Sequence, residues 1–223
     1  MARASRRGTD RDEPKIEALR LPELEDADPD AVVADSYREA ERLTGADLTG
    51  RALQRLVVDS SEWLEVEAGD ADLSDSRFAD SRLVRFRAPV LRAPGSEWRD
   101  VLIEDSRIGS AELREASLRS VRFVRCKLGY VGLRGATLMD VVVEDCIIDE
   151  FDLGGAEATR VAFRGSSATT LDVTSSRLRA VDLRGLEMTS LRGLPGLRGA
   201  RVSGDQLMQL APLLAAEQGI TVD

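Results

Sequence analysis

The chain has 223 residues and a formal net charge of −9, with 43% hydrophobic and 32% charged residues. Only 4% of the residues are aromatic, so this composition suits one soluble domain whose core is built from Leu, Val and Ile. The absence of histidine excludes Ser-His-Asp and Cys-His catalysis, imidazole metal ligation and a histidine pH switch. Two cysteines are too few for a disulfide framework, so we expect a reducing, cytoplasmic setting.

The N-terminal region is irregular. Residues 1–13 contain basic residues with no apolar stretch behind them, which predicts a disordered basic tail and not a secretory signal. Residues 14–45 are expected to form a cap segment. Its first half has apolar residues in an extended pattern, at Ile16, Leu19, Leu21 and Leu24. Its second half, from residue 31, fits either a short helix or a weak continuation of the repeat that follows, because Val33 and Leu43 keep the register of that repeat.

Residues 46–190 carry a five-residue period. Starting from Ala46-Asp47-Leu48-Thr49-Gly50, every fifth residue from Leu48 to Met188 is apolar, without an insertion. The residue two places earlier is nearly as restricted, whereas charged residues crowd the other three places. A helix would place apolar residues every three or four positions and a half-buried strand every two. The period instead indicates a chain that turns a corner every five residues and points two side chains inward on each side.

Glycines just after the central residue are interpreted as corners, because glycine adopts positive φ most easily. They are Gly50, Gly95, Gly109, Gly129, Gly135, Gly154, Gly155, Gly165 and Gly185. The pattern resembles the A-D/N-L-x-x motif of the pentapeptide-repeat family, which Ala46-Asp47-Leu48, Ala71-Asp72-Leu73 and Ala111-Glu112-Leu113 match. The resemblance implies an all-β fold, a right-handed quadrilateral parallel β-helix.

Four sides per coil would stack residues that are twenty apart. A valine ladder has that spacing, formed by Val101, Val121, Val141, Val161 and Val181, and Cys126 lies one coil from Cys146. Because neighbouring strands lie ~4.8 Å apart, the roughly seven coils predicted over 46–190 form a rod of roughly 35 Å.

Residues 191–223 are expected to cap the last coil, because an open stack would expose unpaired backbone. Ser203 and Gln206 have the spacing of a capping box, which predicts a helix over about 204–218. One apolar face of this helix is formed by Leu207, Leu210, Leu213 and Leu214. This face either plugs the last coil or meets a second copy, and the family resemblance makes a homodimer through this helix plausible.

Little in the sequence indicates catalysis. Acidic residues are scattered over outward positions, whereas paired carboxylates need a cleft that perturbs their pKa values. We therefore predict no enzyme activity, cofactor or metal site. Cys126 and Cys146 are interpreted as buried, unreactive thiols. A redox disulfide is the alternative, although in-register parallel strands would hold the pair in poor geometry.

Charge is distributed unevenly along the repeat. Between residues 59 and 80 the only basic residue is Arg77. The candidate partner-binding residues there are Asp59, Glu62, Glu65, Glu67, Asp70, Asp72, Asp75 and Asp80. Further along, Arg87, Arg107 and Lys127 share one column at twenty-residue spacing, which would oppose DNA mimicry on that side.

The resemblance suggests a partner. Some family members are similar to double-stranded DNA in width and charge, bind DNA gyrase or topoisomerase IV, and confer quinolone resistance or immunity to a gyrase toxin. It therefore implies a protein-interaction module with no direct nucleic-acid or membrane binding. The alternative is a scaffolding solenoid with an unknown partner and an ordinary mixed-charge surface.

A second surface is aliphatic. The outward positions Leu64, Val84, Leu102, Val124 and Val142 form a strip that flanks one inward column. An exposed strip of this kind marks a contact surface, but the N-terminal segment could equally cover it.

Overall fold

The computed structural model describes residues 11–221 as a four-sided parallel β-helix that ends in one α-helix. The backbone takes positive φ at most fifth residues between Asp35 and Ala180, and these turns form the corners of the coils. The basic tail predicted over 1–13 lies mostly outside the described residues. Within the described part of the chain, no helix is long and apolar enough to cross a membrane.

The strands of the early coils are short. They are β1 (Glu25–Asp26), β2 (Tyr37–Glu39), β3 (Glu41–Thr44), β4 (Val57–Asp59), β5 (Glu62–Leu64), β6 (Arg77–Ala79) and β7 (Arg82–Val84). The later strands are longer. They are β8 (Arg87–Arg92), β9 (Glu97–Glu104), β10 (Arg107–Glu112), β11 (Ser117–Val124), β12 (Lys127–Gly132), β13 (Thr137–Glu144), β14 (Ile147–Asp152), β15 (Glu157–Arg164), β16 (Ser166–Asp172), β17 (Arg177–Asp182) and β18 (Leu186–Arg192). A short strand, β19 (Ala200–Arg201), precedes the helix α1 (Gly204–Glu217).

All strand pairs are parallel. From β2 to β18 neighbouring coils pair at a spacing of twenty residues, whereas β1 pairs with β3 at sixteen and β17 with β19 at nineteen. Val121, for example, pairs with Val101 on one side and Val141 on the other, which confirms the predicted valine ladder. One sheet has thirteen strands and runs from β1 to β19, and a second sheet has six strands, from β8 to β18.

The central residues of the five-residue period form the core. All of those from Leu48 to Leu183 are buried, and Met188 is half-buried at the end of the stack. The aromatic side chains pack on one another across coils: the rings of Phe78 and Trp98 stack with centroids 4.4 Å apart. The apolar period therefore fills the inside of the coils, as predicted.

The stack has about nine coils instead of the seven predicted, because the chain also coils outside residues 46–190. Residues 31–45 form an irregular repeat and not a helix, since β2 and β3 pair with β4 and β5. Leu43 keeps the register and is buried, but Val33 is 49% exposed and Val32 is buried in its place. The single-turn 3-10 helix Pro29–Ala31 precedes this one-residue shift.

The corner glycines were predicted only in part. Five of the nine have positive φ, whereas Gly109, Gly129, Gly154 and Gly185 do not. Gly129 has a different reason to be glycine: a Cβ there would lie 2.1 Å from the carbonyl oxygen of Gly109 in the preceding coil. Most other corners are occupied by Asp, Ser or Arg with positive φ, so the turn does not demand glycine.

Residues 12–24, here called the strap, run along the outside of the coils. The side chain of Asp12 forms a salt bridge with Arg201 in β19, at the last coil. The backbone N–H of Lys15 donates to Oδ1 of Asp140 at 2.8 Å, in a middle coil. The strap then leads into β1, which pairs with β3 in the first coil. The cap segment therefore covers one side of the whole stack and not the first coil alone.

The capping box of α1 is present as predicted, with reciprocal hydrogen bonds between Ser203 and Gln206. Gln206 is buried, and its Nε2 donates to the carbonyl oxygens of Leu183 and Leu186 at 2.7 and 2.8 Å. Leu210 is the one leucine of the predicted face that is buried. Leu207, Leu213 and Leu214 are 49%, 48% and 39% exposed, so within this chain only part of the leucine face packs on the last coil. The buried contact runs along the edge that carries Gln206 and Leu210.

Candidate interaction surfaces

The inside of the β-helix is filled by side chains around Trp98 and Phe123. The void there has a volume of about 10 Å³ and an apolar lining, which is about the space of a single water and far too small for a substrate. In residues 11–221, no group of three or more Cys, Asp or Glu side chains is arranged to hold a metal ion. In this filled part of the stack, outward side chains are the ones that a ligand or partner can reach.

Five of the eight candidate carboxylates are neutralised by arginines from neighbouring coils. Glu65 pairs with Arg85 and Glu67 with Arg87, each one coil further along, at 2.8 and 3.0 Å. The other three pairings are Asp70 with Arg92, Asp80 with Arg99, and Glu62 with both Arg42 and Arg82. The local excess of acidic residues between 59 and 80 is therefore largely balanced in three dimensions.

Glu62 differs from the other candidates, because its side chain is only 5% exposed. Burial raises the pKa of a carboxyl group, but the hydrogen bonds from Arg42 and Arg82 lower the pKa of Glu62 below its usual value. Glu62 stays charged as the centre of an Arg–Glu–Arg column that links three coils. A carboxylate held in this way is not available to a partner.

Within the described residues, Asp59, Asp72 and Asp75 form no salt bridge. Asp59 accepts a hydrogen bond from Ser60, and Asp72 accepts one from Gln54. Hydrogen bonding to Ser74 and Gln54 outweighs the burial that would raise the pKa of Asp72, so this pKa is lowered. By the five-residue period Asp72 and Asp75 share one side of a coil, whereas Asp59 lies on the neighbouring side. The uncompensated acidic surface is thus smaller than the sequence suggested.

The predicted basic column is present. Arg107 pairs in register with Arg87 and with Lys127, and the column continues to Ile147, which is 58% exposed. Arg87 is neutralised by Glu67, so repulsion within the column is reduced at its first member. All three basic side chains are exposed. This side of the rod therefore carries positive charge.

A polar network that the sequence interpretation missed crosses the later coils. Asp152 is 1% exposed and accepts hydrogen bonds from the Tyr130 hydroxyl at 2.9 Å and from Arg134 Nε at 2.7 Å. Gly132, between them, leaves space for the Tyr130 ring, because a Cβ there would lie 2.6 Å from that ring. Tyr130 lies 22 residues and Arg134 18 residues before Asp152. A twenty-residue coil could therefore have predicted that these three side chains lie close together. Because every partner is satisfied, the network joins coils and does not form an open site.

The two cysteines are free and buried, in neighbouring coils as predicted. The backbone N–H of Cys126 donates to the Cys146 sulfur at 3.3 Å. The hydrogen bond to the Cys146 thiol, together with burial, raises the pKa of the Cys126 thiol well above its ordinary value. A buried thiol with a raised pKa is unreactive, which supports the structural interpretation of Cys126. Cys146 is likewise buried in the packed core.

The outward aliphatic strip is covered for much of its length. Val84, Val124 and Val142 are buried, at 9%, 7% and 3% exposure, and Leu64 and Leu102 are half-buried. At Leu102 the strap lies nearby: its residues 15–20 line the same cavity, of about 400 Å³, as that side chain. Of the two interpretations of the strip, coverage by the N-terminal segment is the one that the structure shows there.

The buried five-residue period and the twenty-residue strand register together decide the fold. This chain has the pentapeptide-repeat fold. No protein-family model and no curated protein matches it.

Solved structures of other pentapeptide-repeat folds are similar to the chain. Full-length QnrB1, a plasmid-mediated fluoroquinolone resistance protein, shares 17% identity over 83% of this chain and 100% of its own, with a TM-score of 0.27. A trypsin-treated QnrB1 variant shares 14% identity over 84% of this chain and 100% of its own, with a TM-score of 0.30. HetL of the cyanobacterium Nostoc sp. strain PCC 7120, a pentapeptide-repeat protein involved in heterocyst differentiation regulation, shares 18% identity over 74% of this chain and 89% of its own, with a TM-score of 0.20. At such identities and TM-scores, nothing about the function of this pentapeptide-repeat chain follows from them.

Proposed function

We propose that this chain is a non-catalytic protein-interaction solenoid whose partner is a type II topoisomerase, DNA gyrase or topoisomerase IV. The observation that supports an interaction role is the stack itself: a filled core leaves only rigid columns of outward side chains for function. The topoisomerase is suggested by the resemblance of the repeat motif to the pentapeptide-repeat family. A groove that binds DNA attracts negative charge, so the early coils are the end of the rod proposed to dock.

The charge that would be presented is centred on one side of an early coil. Asp72 and Asp75 lie there without a salt bridge, within residues 11–221. Nearby, the carboxylates of Glu67 and Asp70 are 44% and 56% exposed although they pair with arginines. Exposed pairs of this kind are weak, so cationic groups of a partner can compete for these carboxylates. We expect such docking to weaken as salt is raised.

A gyrase supercoiling assay tests the proposal. Micromolar protein is expected to inhibit supercoiling or to protect gyrase from a quinolone, and Asp72→Asn with Asp75→Asn is expected to weaken this effect roughly tenfold. The matched control is Asp149→Asn with Glu187→Gln, which removes two exposed carboxylates from later coils. A folded protein with no effect on supercoiling or on quinolone-induced cleavage contradicts topoisomerase binding, and equal losses in both double variants contradict the assigned surface.

A scaffolding solenoid without topoisomerase activity is the second candidate. The pairing of five of the eight acidic candidates with arginines favours it, because the early coils then present a mixed and nearly neutral surface. A homodimer through α1 stays a prediction, supported by the exposure of Leu207 and Met208, at 49% and 73%. Affinity capture from the native host, followed by the supercoiling assay on what is captured, separates the two candidates.

A further inference from the structure

The strap is attached at both ends of the stack. Near its start, Asp12 pairs with Arg201 in the last coil. Beyond its end, the N–H of Glu25 donates to the carbonyl of Ala40 at 3.0 Å, in the first coil. The strap is therefore the one described segment that runs against the direction of coiling and touches both ends.

The length of the strap is close to the minimum that this path requires. Arg201 and Glu25 lie nine strand spacings apart, because β1 is one strand beyond β3, and at ~4.8 Å per spacing this is roughly 43 Å. The thirteen residues of the strap, 12–24, span at most about 43–47 Å when fully extended. The strap has no helix or turn to take up slack between residues 14 and 24, in agreement with a nearly extended chain.

The strap also has an inner and an outer face. Pro14, Ile16, Leu19, Leu21 and Leu24 are half-buried, whereas most residues between them are exposed. Polar contacts hold it in the middle, where Asp140 accepts from the Lys15 N–H and from Arg160 at 2.6 Å. The pattern is that of an extended segment laid on a surface by its apolar side chains.

The column beneath the strap has outward residues that are nevertheless buried. Val142 and Ala162 are neighbours in this column and are 3% and 5% exposed, although the inward positions are the residues on either side of each. Asp140, which binds the strap, lies two residues before Val142. Aliphatic side chains on the outside of a coil would be solvated without a cover, and the strap is bonded to the chain at Asp140, two residues from Val142.

We propose that the strap, residues 12–24, links the last coil to the first and covers the Val142–Ala162 column. The coils contact only their neighbours, so a repeat stack on its own opens from its ends. Because the strap is attached at both ends of the stack, the last coil can open only when the strap is released. The last coil, which would open most easily, is therefore held in place by the strap, which lies near the other end of the sequence.

The rate of thiol labelling of Ala162→Cys measures how often the strap leaves the Val142–Ala162 column. The matched control is Ser117→Cys, which is exposed in strand β11 and needs no opening to react. Cys126 and Cys146 are buried and provide the slow background. We expect Ala162→Cys to react at least about tenfold more slowly than Ser117→Cys in the full chain.

Shortening the strap then tests whether it holds the last coil closed. Deletion of residues 16–19 leaves nine residues, which reach about 30–32 Å and cannot span the stack. We expect labelling of Ala162→Cys to rise about tenfold and amide exchange in residues 186–201 to accelerate, with no change at Ser117→Cys. Replacing the same four residues by glycine and serine retains the length and is expected to have a smaller effect.

A full-length variant, Asp12→Arg, keeps the test decisive if the deletion variant does not fold. It places two arginines together at the last coil and is expected to speed both readouts in the same direction. Unchanged labelling and exchange in both variants, or fast labelling of Ala162→Cys in the parent chain, would overturn the proposal. These outcomes do not depend on whether a topoisomerase binds.

Discussion

At the scale of single residues, inward serine and cysteine side chains complete the backbone hydrogen bonding of the coils. The N–H of Phe86 donates to Ser106 Oγ at 3.0 Å, and the N–H of Cys146 donates to Ser166 Oγ at the same distance. Cys126 uses the sulfur of Cys146 in the same way. A buried N–H without a partner is costly, so these small polar side chains are required in a core that is otherwise apolar.

Cys146 should therefore tolerate serine better than alanine. Cys146→Ser keeps an acceptor for the Cys126 N–H, and we expect it to change the free energy of unfolding by less than about 1 kcal/mol. Cys146→Ala leaves that N–H buried without a partner and is expected to destabilise the protein by about 1–3 kcal/mol. Urea denaturation of the two variants makes the comparison, and equal losses would show that the hydrogen bond is not the reason for a polar atom at this position.

The vertical pairing of Cys126 and Cys146 could be predicted, because it follows from the twenty-residue coil. Their hydrogen bond could not, because the sequence does not tell which backbone N–H groups at a corner lack a strand partner. Gly129 shows the same limit. Its position one residue after a centre looks like a corner, but close contact with the backbone of Gly109 explains the missing side chain.

At the scale of elements, α1 closes the last coil through hydrogen bonds more than through its leucines. Gln206 satisfies two carbonyl groups of the last coil while it completes the capping box with Ser203. The capping box could be predicted from spacing alone. The orientation of the helix could not, because it is set by the carbonyl groups that Gln206 reaches, and this leaves Leu207 and Leu213 exposed.

Gln206→Met is expected to destabilise the end of the stack. Methionine fills a similar volume but cannot donate to the carbonyls of Leu183 and Leu186, so we expect a loss of about 1–3 kcal/mol in the free energy of unfolding. Hydrogen exchange should show the loss of protection first in residues 186–201. Gln209→Met on the exposed side of the same helix is the control, and a control as unstable as Gln206→Met would contradict a capping role.

At the scale of the whole molecule, the coils are joined by ion pairs that the linear sequence conceals. The acidic segment 59–80 looks unbalanced because its arginines come about twenty residues later. Applying the coil period to charges would have paired Glu65 with Arg85 and Glu67 with Arg87. It would not have found pairs with other offsets, such as Asp80 with Arg99, because long side chains reach across corners. The fold was thus predictable from its apolar positions, whereas the surface charge was predictable only for ion pairs at the twenty-residue spacing.

Asp140 links a neighbouring coil and the strap, because its side chain accepts hydrogen bonds from Arg160 in the next coil and from the backbone of the strap. Burial raises the pKa of a carboxyl group, but the bonds from Arg160 and from the Lys15 N–H outweigh it and lower the pKa of Asp140. A carboxylate with a lowered pKa stabilises the folded state above its unfolded pKa of about 3.9, and this stabilisation is lost as pH falls through the lower, folded value.

We therefore expect Asp140→Asn to cost about 1–3 kcal/mol of stability at neutral pH. The difference from the parent should stay constant down to about pH 5 and shrink below about pH 4, because Asp140 is protonated there first in the unfolded chain and only at lower pH in the folded parent. Asp105→Asn is the matched control, because Asp105 is also at a corner with positive φ and also binds an arginine one coil on, at 2.8 Å, but is exposed. An exposed pair is worth less than about 1 kcal/mol. Urea denaturation between about pH 3 and pH 7 checks both variants, and a pH-independent deficit in Asp140→Asn would mean that packing of the strap, and not the charge of Asp140, carries the effect.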